Sequence, residues 1–137
     1  MFTSLQNPFT LIGRILLAAL YLPAGFGKVT DFAGTVAEIA SRGVPFPQLA
    51  ATAAVGVELG LATLLLIGWQ ARWAALGIAF FTVVVSFIFH DFWAVPADQV
   101  TQQAQSFFKN IAVVGGLLTV AGWGAGAWSF DGKADDE

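Results

Sequence analysis

Five polar side chains stand in or beside long apolar stretches of the sequence and could together bind a small ligand: Lys28, Glu58, His90, Lys109 and Asn110. Lysine ammonium groups and a protonated imidazole donate charge-assisted hydrogen bonds to a carbonyl oxygen or an oxyanion. The asparagine amide could orient such a ligand, and the glutamate could take up or relay a proton. These residue types therefore predict a substrate-binding site for a quinone headgroup or a small oxyanion.

The composition restricts the class of protein that can carry such a site. Hydrophobic residues make up 57% of the 137 residues and charged residues only 11%, whereas a soluble domain carries about 25% charged residues. The net charge of -3 disfavours a nucleic-acid partner. The chain has no cysteine and a single histidine, which excludes thiol redox chemistry and predicts no metal site. We expect no intrinsic cofactor, so another molecule, such as a bound quinone, would carry electrons.

Apolar runs long enough to cross a bilayer must position these residues. A span needs about 20 mostly apolar residues, and four runs approach or reach this length, at about residues 9–27, 48–68, 71–90 and 107–128. They show no strand-like alternation, and backbone amides in lipid must be bonded internally. The sequence therefore predicts an all-α, four-helix transmembrane bundle surrounded by a lipid bilayer. We expect residues 1–128 to form a single domain and the acidic segment 129–137 to be disordered.

Two longer connections lie on one side of the predicted bundle. Between the first and second spans, Thr30 is placed to cap a short helix that Gly43 and two prolines end. Apolar residues recur on one face of this segment, which predicts an amphipathic helix in the membrane interface: Phe32, Val36, Ile39 and Ala40. The other connection starts at His90. We call this side the loop face, and the side with both termini and the turn at residues 68–72 the termini face.

Four of the five polar residues lie at the loop-face ends of their spans, and Glu58 lies about 15 Å deeper, at about 1.5 Å per residue. A charge at the centre of a span costs about 2.5 to 3.5 kcal/mol, so Glu58 and the other deep charge, Arg14, need partners. In one interpretation Arg14 and Glu58 form a structural ion pair, or Glu58 is protonated against a carbonyl. In the other, Glu58 is the floor of a polar cavity open to the loop face.

Several motifs, in this order and spacing, resemble the DoxX family of small bacterial membrane proteins. They are Gly13-Arg14 leading to Pro23-Ala24-Gly25-Phe26-Gly27-Lys28, then Glu58-Leu59-Gly60-Leu61 with Gly68 and Arg72, then His90-Asp91-Phe92-Trp93, and Phe108-Lys109-Asn110 with Gly115-Gly116. The resemblance covers nearly the whole chain outside the acidic tail. It implies that Arg14, Arg72 and the five polar residues occupy the family's characteristic positions.

The resemblance implies a bacterial inner-membrane protein with cytoplasmic termini, an orientation that the equal numbers of basic residues on the two faces do not decide. Family members have been linked to thiosulfate:quinone oxidoreductase, to oxidoreductase complexes that handle oxidative and thiol stress, and to detoxification of quinone-like compounds. The implied function is a subunit of a membrane redox system, acting with a membrane protein partner or as a homo-oligomer. The alternative is a non-catalytic docking subunit, in which the polar groups only hold the helices together.

Overall fold

The computed structural model describes residues 2–134, and these form helices without any strand. Four helices are long and apolar enough to cross a membrane: Phe2–Thr30, Pro47–Ile67, Ala71–Phe89 and Val100–Trp123. We call them the first to fourth spans. Shorter helices cover Phe32–Ser41, between the first two spans, and Phe130–Ala134, after the fourth. The predicted all-α fold with four spans and a short helix after the first is confirmed.

The first and fourth spans differ most from their predicted limits. The first begins with a 3-10 turn at Phe2–Leu5 before the α-helix Gln6–Thr30. The fourth starts at Val100, among polar residues, and ends at Trp123, where Gly124 adopts a left-handed φ of 86°. Hydropathy marks only the part of a helix that lies in lipid, whereas hydrogen bonding continues the helix into the headgroup layer.

The short helix Phe32–Ser41 is capped by Asp31, and the prediction that Thr30 caps it is wrong. The Asp31 carboxylate accepts a hydrogen bond of 3.1 Å from the amide of Gly34, whereas Thr30 is the last residue of the first span. Both residue types favour N-caps, and the position where the first span ends selects between them.

The face that this short helix turns towards the bundle also differs in part from the predicted one. Ile39 is buried as expected, but Phe32 is exposed. Thr35 and Glu38, one helical turn apart, line a cavity between this helix and the spans, although Glu38 stays exposed. We keep the name amphipathic helix for Phe32–Ser41, because the exposed apolar side chains on its other faces suit a membrane interface.

Residues 130–134 of the acidic segment 129–137, for which the sequence predicts disorder, are helical in the structure. Helix Phe130–Ala134 follows the fourth span. The two carboxylate oxygens of Asp131 accept hydrogen bonds from the amides of Gln70, at 2.8 Å, and Ala71, at 2.9 Å. An acidic side chain thus satisfies unpaired amides at the start of the third span, where the helix dipole favours it. Residues 135–137 of the predicted tail lie outside the described residues.

Small and aliphatic side chains from all four spans form the core, with Leu65, Ile78 and Leu117 fully buried at its centre. The third and fourth spans pack along most of their lengths. Small residues allow helices to approach closely in lipid, where packing rather than water exclusion holds them together. The core occupies the middle of the bundle and leaves the polar residues towards its two ends.

Candidate functional site

A cavity of about 230 Å³ lies near the loop face, between the amphipathic helix and the ends of the first three spans. We call it the loop-face cavity. Its polar lining consists of Lys28, Thr35, Glu38, Glu58 and His90, and its apolar lining of Ile39, Ala54, Phe81, Val85 and Phe89. The structure therefore brings together three of the five predicted ligand contacts, Lys28, Glu58 and His90, from three different spans.

Lys28 and Glu58 form an ion pair in the wall of this cavity. The Lys28 ammonium donates to Glu58 Oε1 at 3.0 Å and lies 2.9 Å from Oε2. Glu58 is only 6% exposed, and the side chain of Lys28 is 29% exposed. No directed hydrogen bond reaches Oε2 from the described residues, although this oxygen is buried. Within the described part of the chain, Lys28 is thus the group that holds both oxygens of this carboxylate.

The backbone around Glu58 explains how a carboxylate comes to lie inside the bundle. Glu58 belongs to a π-helical turn, Gly56–Leu61, that interrupts the second span, and such turns occur frequently at functional sites. On the first span, a Cβ atom at Gly25 would lie 2.9 Å from Glu58 Cβ and 2.8 Å from Leu59 Cγ. Only glycine permits this approach, and Lys28 lies on the same helix face three residues later.

His90 joins the cavity to the fourth span. It follows the last residue of the third span, and its amide donates to the carbonyl of Ser86 at 3.1 Å. Its Nδ1 lies within hydrogen-bond distance, 2.9 Å, of Oε1 of Gln103. Nε2 makes no hydrogen bond within the described part of the chain. It therefore remains available to a ligand.

Lys109 and Asn110 do not line the loop-face cavity, although the sequence places them at the same depth as Lys28 and His90. Lys109 is exposed on the fourth span. The Asn110 amide donates to Ser86 Oγ at 3.0 Å, which ties the fourth span to the third. The residue count suggested a shared depth, but the fourth span meets His90 through Gln103 and meets Ser86, one turn before His90, through Asn110. Asn110 therefore lies deeper in the bundle than His90.

Asn110 completes a buried polar network that holds three spans together. Thr82 donates to the carbonyl of Ile78 at 2.8 Å, so the Tyr21 hydroxyl, 2.6 Å from Thr82 Oγ1, is the donor in that contact. Ser86 donates in turn to the carbonyl of Thr82 at 2.6 Å. Because each of these polar groups is satisfied within the bundle, the network stabilises packing of the first, third and fourth spans.

The predicted ion pair between Arg14 and Glu58 does not form. Arg14 is fully buried and donates to the carbonyls of Leu65, at 3.3 Å, Leu66, at 2.6 Å, and Trp128, at 2.6 Å. Leu65 lies almost two helical turns beyond Glu58, which is about 10 Å along the second span. The guanidinium therefore meets the unpaired carbonyls at the end of that span, where a positive charge is favoured by the helix dipole.

The sequence analysis did not predict two groups of residues that line the cavity. Phe81, Val85 and Phe89 lie on one face of the third span at intervals of four residues and lead to His90. This spacing was a usable signal, but it is also what an ordinary packing face shows. Glu38 gave no signal, because its place in the cavity lining depends on how the amphipathic helix folds back over the bundle. Ligand binding by any of these residues stays a prediction.

The fold and this site define the class of the protein as a multi-pass membrane protein with a buried ion pair beside a small cavity at one membrane face. The family model for DoxX matches residues 9–91, which include both partners of the ion pair and His90. The chain belongs to the DoxX family.

Two relatives from Escherichia coli (strain K12) support this membership. The chain is 37% identical to inner membrane protein YphA over 121 residues, which cover 88% of this chain and 86% of the relative. It is 35% identical to inner membrane protein YqjF over 127 residues, covering 93% and 92%. Together with the four apolar helices, these relatives support the predicted multi-pass location in the inner membrane.

A more distant similarity extends to a eukaryote. The Surfeit locus protein 4 homolog of Schizosaccharomyces pombe (strain 972 / ATCC 24843) is 27% identical over 127 residues, which cover 91% of this chain but 37% of that protein. No solved structure matches the chain.

Proposed function

We propose that this protein binds the headgroup of a quinone in the loop-face cavity and serves as the membrane subunit of a redox system. One observation carries the proposal: Lys28, Glu58 and His90 meet the rings of Phe81 and Phe89 in a single cavity. A quinone headgroup is a flat ring with carbonyl oxygens on opposite sides, so it needs apolar walls and hydrogen-bonding groups at its ends. The mixed lining supplies both.

The charges in the lining favour a quinone over the small oxyanion that the sequence leaves as the other ligand. Glu38 and Glu58 contribute two carboxylates, and Lys28 is already paired with Glu58. An added oxyanion would face two carboxylates and an ammonium that is already paired, whereas a neutral ring avoids this repulsion. The cavity is therefore better suited to an uncharged ligand with acceptor oxygens.

The cavity volume favours binding of the headgroup alone. Sites for drug-sized ligands measure about 300–1,000 Å³, and the loop-face cavity, at about 230 Å³, falls below this range. In this proposal the ring enters the cavity and the isoprenoid tail stays between the exposed apolar side chains and the surrounding lipid. The proposed orientation has cytoplasmic termini, which puts the cavity on the outer side of the inner membrane.

The proposed chemistry of the chain is the handling of protons. Reduction of a quinone adds an electron and a proton to each carbonyl oxygen. Lys28 donates a hydrogen bond to one oxygen. Glu58, beside it, accepts the proton of that oxygen when a quinol is oxidised and returns it when a quinone is reduced, while the proton at the other oxygen exchanges with water at the loop face. A membrane protein partner supplies the electrons in this proposal, since the chain has no cysteine for thiol redox chemistry.

The quinone content of the purified protein tests this proposal. The protein is extracted from bacterial inner membranes in mild detergent, and ubiquinone and menaquinone per chain are measured by mass spectrometry. We expect near-stoichiometric quinone in the unaltered protein and loss of roughly 90% or more in Val85→Trp, which fills the cavity without altering a charge. Lys109→Ala is the matched control, because Lys109 is exposed outside the cavity and its loss should leave quinone bound.

A docking subunit without a ligand is the second candidate, and an exposed aromatic cluster favours it. Phe107 contacts Phe87, Phe92, Trp93 and Phe108 with ring centroids 5.3–5.7 Å apart. Phe87, Trp93 and Phe108 also present exposed surface to the surroundings. Such a rigid surface could seat a membrane protein partner or a second copy of the chain. Absence of quinone from every preparation, or equal quinone in Val85→Trp and Lys109→Ala, would favour this candidate.

A further inference from the structure

A second and larger cavity lies at the termini face, where the third span starts and the fourth span ends. Its volume is about 550 Å³, and we call it the termini-face pocket. The lining includes Gln70, Arg72, Trp73, Trp123, Gly124 and Asp131. Because it lies at the ends of two spans, the pocket is at the level of the lipid headgroups. None of its residues takes part in the proposed quinone site.

Arg72 provides a fixed positive charge in this pocket. Its Nη1 donates to the carbonyls of Ala121, at 3.2 Å, and Gly122, at 2.7 Å, which are near the end of the fourth span. Nε and Nη2 make no hydrogen bond with the described residues, and no described carboxylate forms an ion pair with Arg72. The side chain is thus held in place by one nitrogen, and its other donors are unused.

Gly124 keeps the space beside the guanidinium open. Its φ of 86° is strained for any residue with a side chain, and a Cβ atom there would lie 3.3 Å from Nη2 and 3.4 Å from Nε of Arg72. These are the two nitrogens without a partner. A ligand can therefore reach Nη2 and Nε of Arg72. The planar guanidinium has a geometry that suits a phosphate.

The carboxylate in the pocket does not cancel this charge. Both oxygens of Asp131 are occupied by the amides of Gln70 and Ala71, and its charge is offset by the N-terminal end of the third span. Among the described lining residues, Arg72 is the cation left without a counter-charge. The pocket therefore favours an anion.

Two tryptophans indicate which anion the pocket takes. Trp73 is 72% exposed and Trp123 is 86% exposed, and both border the pocket. Tryptophan rings of this kind sit where acyl chains meet headgroups. We propose that the termini-face pocket binds the phosphate of an anionic phospholipid through Arg72, with the start of its acyl chains against Trp73 and Trp123.

Titration of the full-length, detergent-solubilised protein with phosphatidylglycerol, followed by native mass spectrometry, tests this site. We expect Arg72→Gln to weaken the tightest lipid-binding event roughly tenfold or more, and Arg72→Lys, which retains the charge, to recover part of the loss. Lys133→Gln is the matched control, because Lys133 is an exposed cation at the same membrane face and does not line the pocket. It should leave the affinity unchanged.

Two further measurements distinguish a lipid phosphate from free inorganic phosphate and show whether a variant that loses binding is still folded. Trp123→Ala removes an exposed ring, so it should weaken lipid binding without altering the unfolding temperature. Inorganic phosphate should not displace the lipid at millimolar concentration. Displacement by phosphate would overturn the lipid assignment. Equal binding of phosphatidylglycerol by the unaltered protein and Arg72→Gln, or equal binding of phosphatidylcholine, would overturn the site itself.

Discussion

The two charges buried deepest in the bundle, Arg14 and Glu58, are satisfied in different ways. Arg14 is fully buried and is held by three backbone carbonyls from the second span and the segment after the fourth. Glu58 is held by the flexible side chain of Lys28 and borders a cavity. The backbone carbonyls that hold Arg14 are fixed in the structure, whereas the Lys28 side chain can rotate away from Glu58. The first arrangement is suited to holding helices together and the second to exchanging partners with a ligand.

The same contrast separates the two membrane faces. At the termini face, Arg14 and Asp131 satisfy the end of the second span and the start of the third, so these charges complete helix ends. At the loop face, the charges line a cavity covered by a separate helix. A buried charge by itself is therefore weak evidence for function. A neighbouring cavity does not decide the question either, because Asp131 caps the third span and also borders the termini-face pocket.

Removal of Arg14 should produce the largest loss of stability in the molecule. Arg14→Met leaves carbonyls of Leu65, Leu66 and Trp128 without this donor, and we expect a cost of about 3–5 kcal/mol. The free energy of unfolding in mixed micelles, or the thermal midpoint, measures it. Arg14→Lys keeps the charge but loses the planar fork, so its loss should be smaller. A loss below about 1 kcal/mol for Arg14→Met would contradict the structural role of this residue.

Breaking the Lys28–Glu58 pair should cost less, because Lys28 is partly exposed. Lys28→Met leaves an unpaired carboxylate, with an expected loss of about 2 kcal/mol, below the range for fully buried pairs. In a double-mutant cycle with Glu58→Gln, we expect a coupling energy of about 1–2 kcal/mol.

A second double-mutant cycle tests whether the two buried charges, Arg14 and Glu58, are independent of each other. Arg14→Met and Glu58→Gln should be additive within about 0.5 kcal/mol, because the two residues share no partner. Strong coupling between Arg14 and Glu58 would restore the ion pair that the sequence suggested and would remove the distinction between the two charges.

The fold could be predicted from the sequence to a large extent, because the bilayer imposes length and hydrophobicity on each span. The first and last residues of each helix were harder to predict. Asp131 caps a helix about 60 residues earlier in the chain, and no local pattern reports such a long-range contact. The charge of the segment therefore gave no indication of the helix Phe130–Ala134.

The candidate site was only partly predictable from the sequence. Counting residues along the helices suggested one layer for Lys28, His90, Lys109 and Asn110, but Asn110 bonds Ser86, one turn deeper than His90. Which of them face each other depends on the rotation of each helix, and Lys109 and Asn110 turn away from the cavity. The Arg14–Glu58 pairing failed for a related reason, since opposite charges were matched while the backbone carbonyls at the end of the second span were not considered.

Gly25 connects the packing of the helices to the geometry of the site. Gly25→Ala places a methyl group 2.9 Å from Glu58 Cβ and 2.8 Å from Leu59 Cγ, and we expect this overpacking to cost about 1–3 kcal/mol. Gly27→Ala is the matched control, because a Cβ atom there meets nothing within 4 Å. It should be neutral or slightly stabilising. Unfolding in detergent compares the two variants, and equal effects would show that the first span does not need this close approach to Glu58.

The amphipathic helix gives the smallest effect on stability and the most direct test of whether the loop-face charges lie beside accessible space. Arg42, at its end, pairs with Asp91 at 3.2 Å, donates to the Ile88 carbonyl at 3.3 Å and lies over the Phe89 ring. Arg42→Ala should cost less than about 1 kcal/mol, because the pair is partly exposed.

The same substitution should expose the cavity by loosening the helix above it. The chain has no cysteine, so Ala54→Cys, in the cavity wall, provides a single thiol whose alkylation by a polar maleimide can be timed. We expect faster alkylation when Arg42→Ala is added, and an unchanged rate for an exposed control, Thr52→Cys. If Ala54→Cys reacts at the same rate with and without Arg42, the amphipathic helix does not limit access to the cavity. The loop face would then be as fixed as the termini face, and the contrast between Glu58 and Arg14 would reduce to the identity of their partners.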